Sequence, residues 1–303
     1  MSSHQESSFR AILYAFLANF GIAAGKSVAA YLTGSGSMLA EAVHSFADCG
    51  NQLLLFLGLH RAQMPPTRNH PLGFGKVVYF WSFLVAILLF TLGGIFSIRE
   101  GIHKLTTPEP LAHVPIALGV LGFSVILESF SMYGCIREIK KIKGTKTLLA
   151  WLKGSRNAEF IVVLGEDTAA LLGLAVAFTF VTLSYVTGNP IYDAVGSLVI
   201  GCVLVVIAFL ISQRVKSLMV GMSADPDLEN RIEALIEKDK SIVKVFNIIT
   251  QQFGPHLMLA AKIEMKPSLK ISEAAVKINE LEKNLKKEFP EIRWCFIEPD
   301  VAK

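Results

Sequence analysis

A histidine and several carboxylates stand in stretches that are otherwise apolar. Glu41, His44 and Asp48 are spaced i, i+3 and i+7, with Asn51 and Gln52 following. On a helix that spacing sets them on one stripe. Glu166 and Asp167 are adjacent in a second apolar stretch, and Glu128 lies in a third. An ionised side chain at the centre of a membrane helix costs about 2.5 to 3.5 kcal/mol on insertion scales, so such residues usually face the bundle interior and serve a purpose. A polar stripe can also glue helices together through hydrogen bonds. An imidazole stacked with two carboxylates says more than that: without a cation or protons, their charges are hard to keep together. Imidazole with carboxylate suits Zn2+ and its transition-metal neighbours, whereas Mg2+ and Ca2+ take all-oxygen sets. Such ligands shed protons to bind metal and regain them when it leaves, so exchange of metal for protons follows from the same chemistry.

The elements that must carry these residues are legible in composition. The chain has 303 residues, 52% hydrophobic and 18% charged, with mean hydropathy +0.49; a soluble domain carries about 25% charged residues, so the class is membrane. A spanning helix needs about 20 mainly apolar residues. Six segments qualify, at 11–33, 38–60, 77–98, 114–136, 160–186 and 190–212. The connections Thr33 to Ser37 and Gly188 to Pro190 hold no Lys or Arg, while Arg137 to Arg156 holds seven, and Arg61, Arg68 and Lys76 lie between spans two and three. The positive-inside rule then puts both termini in the cytoplasm or its topological equivalent. From the rise along a helix, Asp48 lies about 15 Å deep from the outer face and Asp167 about 10 Å from the inner one, with Glu128 at a similar depth, so the acids converge near the midplane.

The predicted architecture is a transmembrane domain over 1–213 and a cytoplasmic domain over 214–303. The tail reads as helix, strand, strand, helix, strand, a small ferredoxin-like α+β fold. Asp225-Pro226 opens a helix through Lys238. Ser241 to Gln252 and Leu257 to Met265 are strands about a Gly254-Pro255 turn. A helix from Ser272 to Glu288 places Ala275, Ile278, Leu281, Leu285 and Phe289 at helical spacing, and Ile292 to Ile297 is the last strand. Ile139 to Leu152, with lysines among apolar residues, is an amphipathic candidate for the headgroup region.

Other features carry plainer readings. Cys49, Cys135, Cys202 and Cys295 are far apart without a C-x-x-C, so each is expected to be a small buried apolar residue. The polar stretch Met1 to Ser8 lacks the features of a cleaved signal, so the first span is expected to remain as an anchor. The net charge of +4 is modest, with lysines beside apolar spans, and no base-reading motif is present, so nucleic acid is not an expected partner. Lys26 is read as snorkelling to the outer interface and Asp193 as capping its own helix. Gly93-Gly94 and Ser97 are read as a close helix contact.

His44-Ser45-Phe46-Ala47-Asp48, the loop His70-Pro71-Leu72-Gly73-Phe74-Gly75-Lys76, the acidic motif at Asp167, Tyr192-Asp193 leading into Gly196-Ser197, and the element order of the tail together resemble the cation diffusion facilitator family. The resemblance covers essentially the whole chain. It implies divalent metal–proton antiport, six transmembrane helices, a cytoplasmic α+β domain and a homodimer. It also implies a tetrahedral site with two ligands four residues apart on each of the second and fifth helices. His44 and Asp48 match the first pair. The fifth helix departs, because Val163 stands four residues before Asp167 and Ala170 four after Glu166. Asp167 is then the matched ligand, with Glu166 or Glu128 completing the site. Further metal positions of the family are altered: His70 remains beside Thr67 and Phe74, and in the tail Phe246, Lys262 and Phe296 leave Glu298 alone.

The function expected is proton-coupled efflux of Zn2+ as transported substrate. The alternatives are a Mn2+, Fe2+ or Co2+ exporter, favoured if oxygen ligands dominate, and a non-transporting membrane scaffold. The expected setting is a lipid bilayer, a bacterial inner membrane with an organellar membrane as the alternative.

Overall fold

The computed structural model describes residues 19–144 and 146–301; the expectation for Met1 to Ser8 and the start of the first span lie outside them. Helix α1 runs through 19–33. It is followed by α2 (Gly36–Ala62), α3 (Val77–Leu88), a π-helix (Leu89–Ile95), α4 (Phe96–Thr106), α5 (Val114–Ile142), α6 (Leu148–Gly154), α7 (Ala158–Thr187) and α8 (Ile191–Val220). The tail then gives α9 (Pro226–Glu237), β1 (Ile242–Phe253), β2 (His256–Met265), α10 (Ile271–Glu288) and β3 (Ile292–Asp300).

Four described stretches are long and apolar enough to cross a membrane: Val77–Thr106, Val114–Ile142, Ala158–Thr187 and Ile191–Val220. Each is longer than the segment predicted for it. At 30 residues such a helix is about 45 Å long, more than the roughly 30 Å hydrocarbon core, so it continues into water where Lys104, Arg137 or Lys216 is tolerated. α2 has 27 residues, but Glu41, His44, Asp48, Asn51 and Gln52 interrupt its apolar run. The amphipathic candidate is not one segment. Ile139 is fully buried in α5, whereas Leu148–Gly154 is a separate helix whose N-cap Thr147 accepts from the Ala150 N–H.

The described residues divide into two compact units, the first of 19–58, 81–144, 146 and 159–214 and the second of 59–80, 147–158 and 215–301. In the first, the expected close contact at Gly93-Gly94 is real. A Cβ on Gly94 would meet Val205 at 2.6 Å, and one on Gly201 would meet Ile98 at 2.6 Å, so the Val77–Thr106 stretch and α8 approach closely at these glycines. The sequence reading missed that Gly93-Gly94 lies in a π-helix, where Ser97 Oγ donates to the Gly93 carbonyl at 2.6 Å.

Asp193 corrects another expectation. Its carboxylate caps α2, not α8, accepting from Ser35 Oγ at 2.7 Å, the Gly36 N–H at 2.6 Å and the Ser37 N–H at 3.2 Å. The start of α2 is buried, and its orphan N–H groups must find an acceptor there. A neighbouring helix supplies the anion that favours a helix N-terminus.

In the second unit the sheet runs β1-β2-β3, with β1 and β2 antiparallel and β2 and β3 parallel. Leu257, Leu259, Ala261 and Ile263 alternate along β2 into a core closed by Ile232 and Ile236 of α9 and by Leu281, Leu285 and Phe289. Ala275 does not join this ridge; it is exposed on α10, and Ile278 is half-buried. Asp225 caps α9 as predicted, accepting from the Asp227 N–H at 3.1 Å. Cys49 and Cys295 are buried, Cys135 is half-buried and Cys202 is exposed, so the expected burial holds for two of the four. Burial pushes the Cys295 thiol up to about 12.

The H-P-L-G-F-G-K loop belongs to this unit and is bolted to the β1–β2 turn. The Tyr79 hydroxyl accepts from the Gly254 N–H at 2.9 Å, and the Lys76 ammonium lies 4.6 Å from the Phe253 ring centroid. A Cβ on Gly75 would collide with the Phe253 carbonyl, and Gly254 takes φ +59 against Gly75. Gly75→Ala is expected to lower stability by about 1 to 3 kcal/mol, because backbone must shift to relieve the overlap, and Asp193→Ala by about 1 to 2 kcal/mol through the lost cap. Thermal unfolding of the full chain in detergent checks both, with the exposed position Ala275→Ser as a neutral control.

Candidate metal site

Within the first unit, a cavity of about 70 Å³ is lined from four helices. α1 contributes Asn19 and Ile22; α2 contributes Ser45, Asp48, Gln52 and Leu55; α5 contributes Glu128 and Ser131; α7 contributes Val163, Glu166, Asp167 and Ala170. Within each helix successive lining residues are three or four apart, as a single face requires, except the adjacent pair Glu166 and Asp167, which flank that face. The volume exceeds what one water needs, and its polar walls suit water or an ion.

Four of the five predicted residues line this space: Asp48, Glu128, Glu166 and Asp167. His44 stands one turn behind Asp48, fully buried, with Nε2 3.5 Å from Asp48 Oδ2. Neither ring nitrogen has a hydrogen-bond partner among the described residues, and Asp48 Oδ1 has none either. Gly93 of the π-helix sits beside Nδ1, where a Cβ would lie 3.8 Å away. Among the described residues no three His, Cys, Asp or Glu side chains are gathered closely enough to hold one metal ion. The predicted ligands surround a shared opening without closing on a point.

Second partners keep them apart. Glu166 accepts from Asn51 Nδ2 at 2.5 Å, and Asp167 accepts from Ser131 Oγ at 3.2 and 3.4 Å. The two neighbours on α7 thus turn in different directions, Glu166 to α2 and Asp167 to α5, as their separation of about 100° on a helix demands. Val163, four residues before Asp167, and Ala170, four after Glu166, both line the cavity without offering a ligand atom.

Lys26 overturns its predicted role. It does not snorkel; it is fully buried, with Nζ 3.0 Å from Glu41 Oε2 and 2.8 Å from Ser45 Oγ. Glu41 is therefore an ion-pair partner. The spacing Asn19, Ile22, Lys26 puts all three on one face of α1, a signal that was available in the sequence. Ser131, three residues after Glu128, was visible in the same way.

In the second unit, His70 is exposed and stacks on Phe74 with ring centroids 4.5 Å apart, and its N–H is bound by Thr67. In the tail, Lys262 pairs with Glu298 at 3.2 Å and with Asp300 at 3.3 Å, so an ammonium stands beside the one retained acid. Burial, with Arg293 nearby, lowers the His256 imidazole below its ordinary value.

Buried acids and a histidine about a cavity between long apolar helices, joined to a small α+β domain, define a membrane protein that handles cations. Residues 12–219 match the cation efflux transmembrane domain and residues 224–300 the cation efflux protein cytoplasmic domain, and the chain belongs to the cation efflux family, whose members are transporters and not enzymes. The mitochondrial proton-coupled zinc antiporter SLC30A9 of Mus musculus is 36% identical over 76% of this chain and 41% of its own length. The Xenopus laevis counterpart is matched over 46% of its length, so the chain spans less than half of these relatives. The manganese efflux system protein MneP of Bacillus subtilis is 20% identical over 98% of this chain and 97% of its own. The zinc transporter ZitB of Escherichia coli is 25% identical over 66% and 60%.

If the cavity is where an ion rests, filling it stops binding without touching a charge. Ala170→Leu is expected to lower metal affinity at least about tenfold, since the added side chain occupies space an ion and its waters need. Calorimetric titration of purified protein measures this, and native affinity in that variant would place the ion elsewhere.

Proposed function

We propose that this chain carries Zn2+ out of the cytoplasm in exchange for protons, through an intramembrane site made by His44, Asp48 and Asp167 and completed by Glu166 or Glu128. The observation that carries the reading is the fully buried His44, whose two ring nitrogens have no hydrogen-bond partner among the described residues, with Nε2 3.5 Å from Asp48 beside a cavity ringed by three more carboxylates. A buried polar group without a partner is costly. A zinc ion offers imidazole nitrogen and carboxylate oxygen what protein alone does not supply there. Binding draws His44 and the acids inward onto the ion, with Asn51 and Ser131 releasing Glu166 and Asp167. Protons on the carboxylates and imidazole leave as metal enters and return as it departs. The similarity to a proton-coupled zinc antiporter supports this coupling.

The transmembrane domain of six spans over 1–213 and the cytoplasmic domain over 214–303 form the working unit, with both termini on the cytoplasmic side. Seven Lys and Arg from Arg137 to Arg156 support that orientation. Two copies pair through the tail, which matches a domain named for dimerisation. The membrane is a bacterial inner membrane, with an organellar one as the alternative given the mitochondrial relatives. A second reading takes Mn2+, Fe2+ or Co2+ as cargo. The cavity wall holds four carboxylates while the imidazole stands behind it, which suits a harder ion, and the likeness to a manganese exporter points the same way.

In proteoliposomes with a pH-sensitive dye inside, metal added outside is expected to drive proton movement, with Zn2+ the strongest of the four metals. Asp48→Ala and Asp167→Ala are expected to bring the signal to background and Phe74→Ala to retain it. Equal activity in all three variants refutes the site, a larger response to Mn2+ selects the second reading, and no response from the native chain leaves the scaffold.

A further inference from the structure

Lys26 and Glu41 are both fully buried, in a part of the protein where a charge is expensive. Their ion pair spans α1 and α2 at 3.0 Å, and the same ammonium reaches Ser45, which lines the cavity. Glu41 lies three residues before His44 on the helix that carries Asp48, so its carboxylate is on the face from which metal ligands are drawn. One oxygen, Oε2, is taken by the lysine. The other, Oε1, is buried with no hydrogen-bond partner among the described residues. It reaches α7 at Gly173, where a Cβ would collide with it. Gly173 follows Ala170 by three residues and Glu166 by seven, on the face of α7 that lines the cavity. Glu41 therefore bridges the two helices that carry His44, Asp48, Glu166 and Asp167, and only an ammonium keeps it from being one more anion in that row.

We propose that Lys26 is a positioning residue for metal selectivity, a tethered cation that holds Glu41 out of the site and so favours an ion that accepts imidazole over ions that demand further oxygen ligands. With Lys26 in place, Glu41 is neutralised and half occupied. Without it, a carboxyl group one turn from His44 is free to turn to the ion, giving up any proton as metal binds, and an added oxygen ligand favours Mn2+ over Zn2+. The pair's own contribution to stability is small, because burying both ions removes their hydration; its effect falls on the neighbouring charges. The inference rests on the intramembrane site proposed above, and the two fail on different measurements.

The measurement is calorimetric binding of Zn2+ and Mn2+ to the full chain in nanodiscs. K26Q is expected to shift the affinity ratio toward Mn2+ by about tenfold, a change worth about 1.4 kcal/mol. K26R, which keeps the cation, and K26Q/E41Q, which removes the freed carboxylate, are expected to keep the native ratio. A native ratio in K26Q overturns the inference, as does an equal shift in K26Q and K26Q/E41Q, since the effect then does not run through Glu41. If K26Q yields no folded protein, E41Q decides. There the uncompensated ammonium is expected to repel the metal and weaken Zn2+ binding at least about tenfold, and native Zn2+ affinity in E41Q overturns the inference. Zn2+ binding that survives His44→Ala overturns the site itself, and the inference with it.

Discussion

Lipid offers an ionised side chain nothing to bind, so every charge carried into the bilayer must find its partner on another helix. Lys26 finds Glu41, and Glu166 and Asp167 find Asn51 and Ser131. Asp193 finds the start of α2. Each of these pairings joins two different helices, so the polar atoms that lipid would penalise become the ties that fix helix position. Among the described residues His44, one oxygen of Asp48 and one oxygen of Glu41 are left without a hydrogen-bond partner. In a low-dielectric interior an unmade hydrogen bond is expensive, and this deficit sits at the edge of the polar cavity.

Packing supports the same arrangement through backbone rather than side chains. Gly94 and Gly201 let the Val77–Thr106 stretch meet α8 closely, each glycine receiving a side chain of the other helix, Val205 and Ile98. The π-helix at Leu89–Ile95 lies in that contact and turns Gly93 toward His44. A π-helix gives up regular hydrogen bonding and is found often at functional sites. Here a bulkier residue at 93 would press on Leu204 and approach the imidazole, so the small residue leaves the ring its room.

Much of this was legible because helical spacing is strict. The stripe from Glu41 to Gln52 follows from positions three, four and seven apart; Glu166, Asp167 and Glu128 stand out as acids in apolar runs, the core of β2 as a period-two alternation, and the cap at Asp225 as an Asp-Pro helix start. What escaped is tertiary. Lys26 reads as a snorkelling lysine until α2 is known to place Glu41 and Ser45 beside it. Asp193 sits at a helix start in the sequence, so its own helix is the natural guess; only the fold shows that α2, with its buried terminus, needs the acceptor more. Ala275 fits the apolar period of α10 yet is exposed. The π-helix carries no pattern of its own, since seven residues of irregular pitch look like an apolar helix with two glycines.

On the proposed function, the two classes of ligand atom stand at different depths from the cavity, and that would separate encounter from selection. Carboxylate oxygens of Asp48, Glu128, Glu166 and Asp167 are at the wall, where an entering ion still holding water meets them. Such oxygens attract any divalent cation and discriminate little between them. The imidazole of His44 is behind Asp48, and on that reading the ion would reach it only after displacing water and drawing the side chains together. Preference for Zn2+ can then arise late, from a nitrogen that harder ions use poorly, and it lasts only while oxygen ligands are few. An additional carboxylate in the row would let an oxygen-preferring ion satisfy itself before the imidazole counts. On the proposed reading, the state of Glu41 therefore weighs as much on selectivity as the histidine that supplies it.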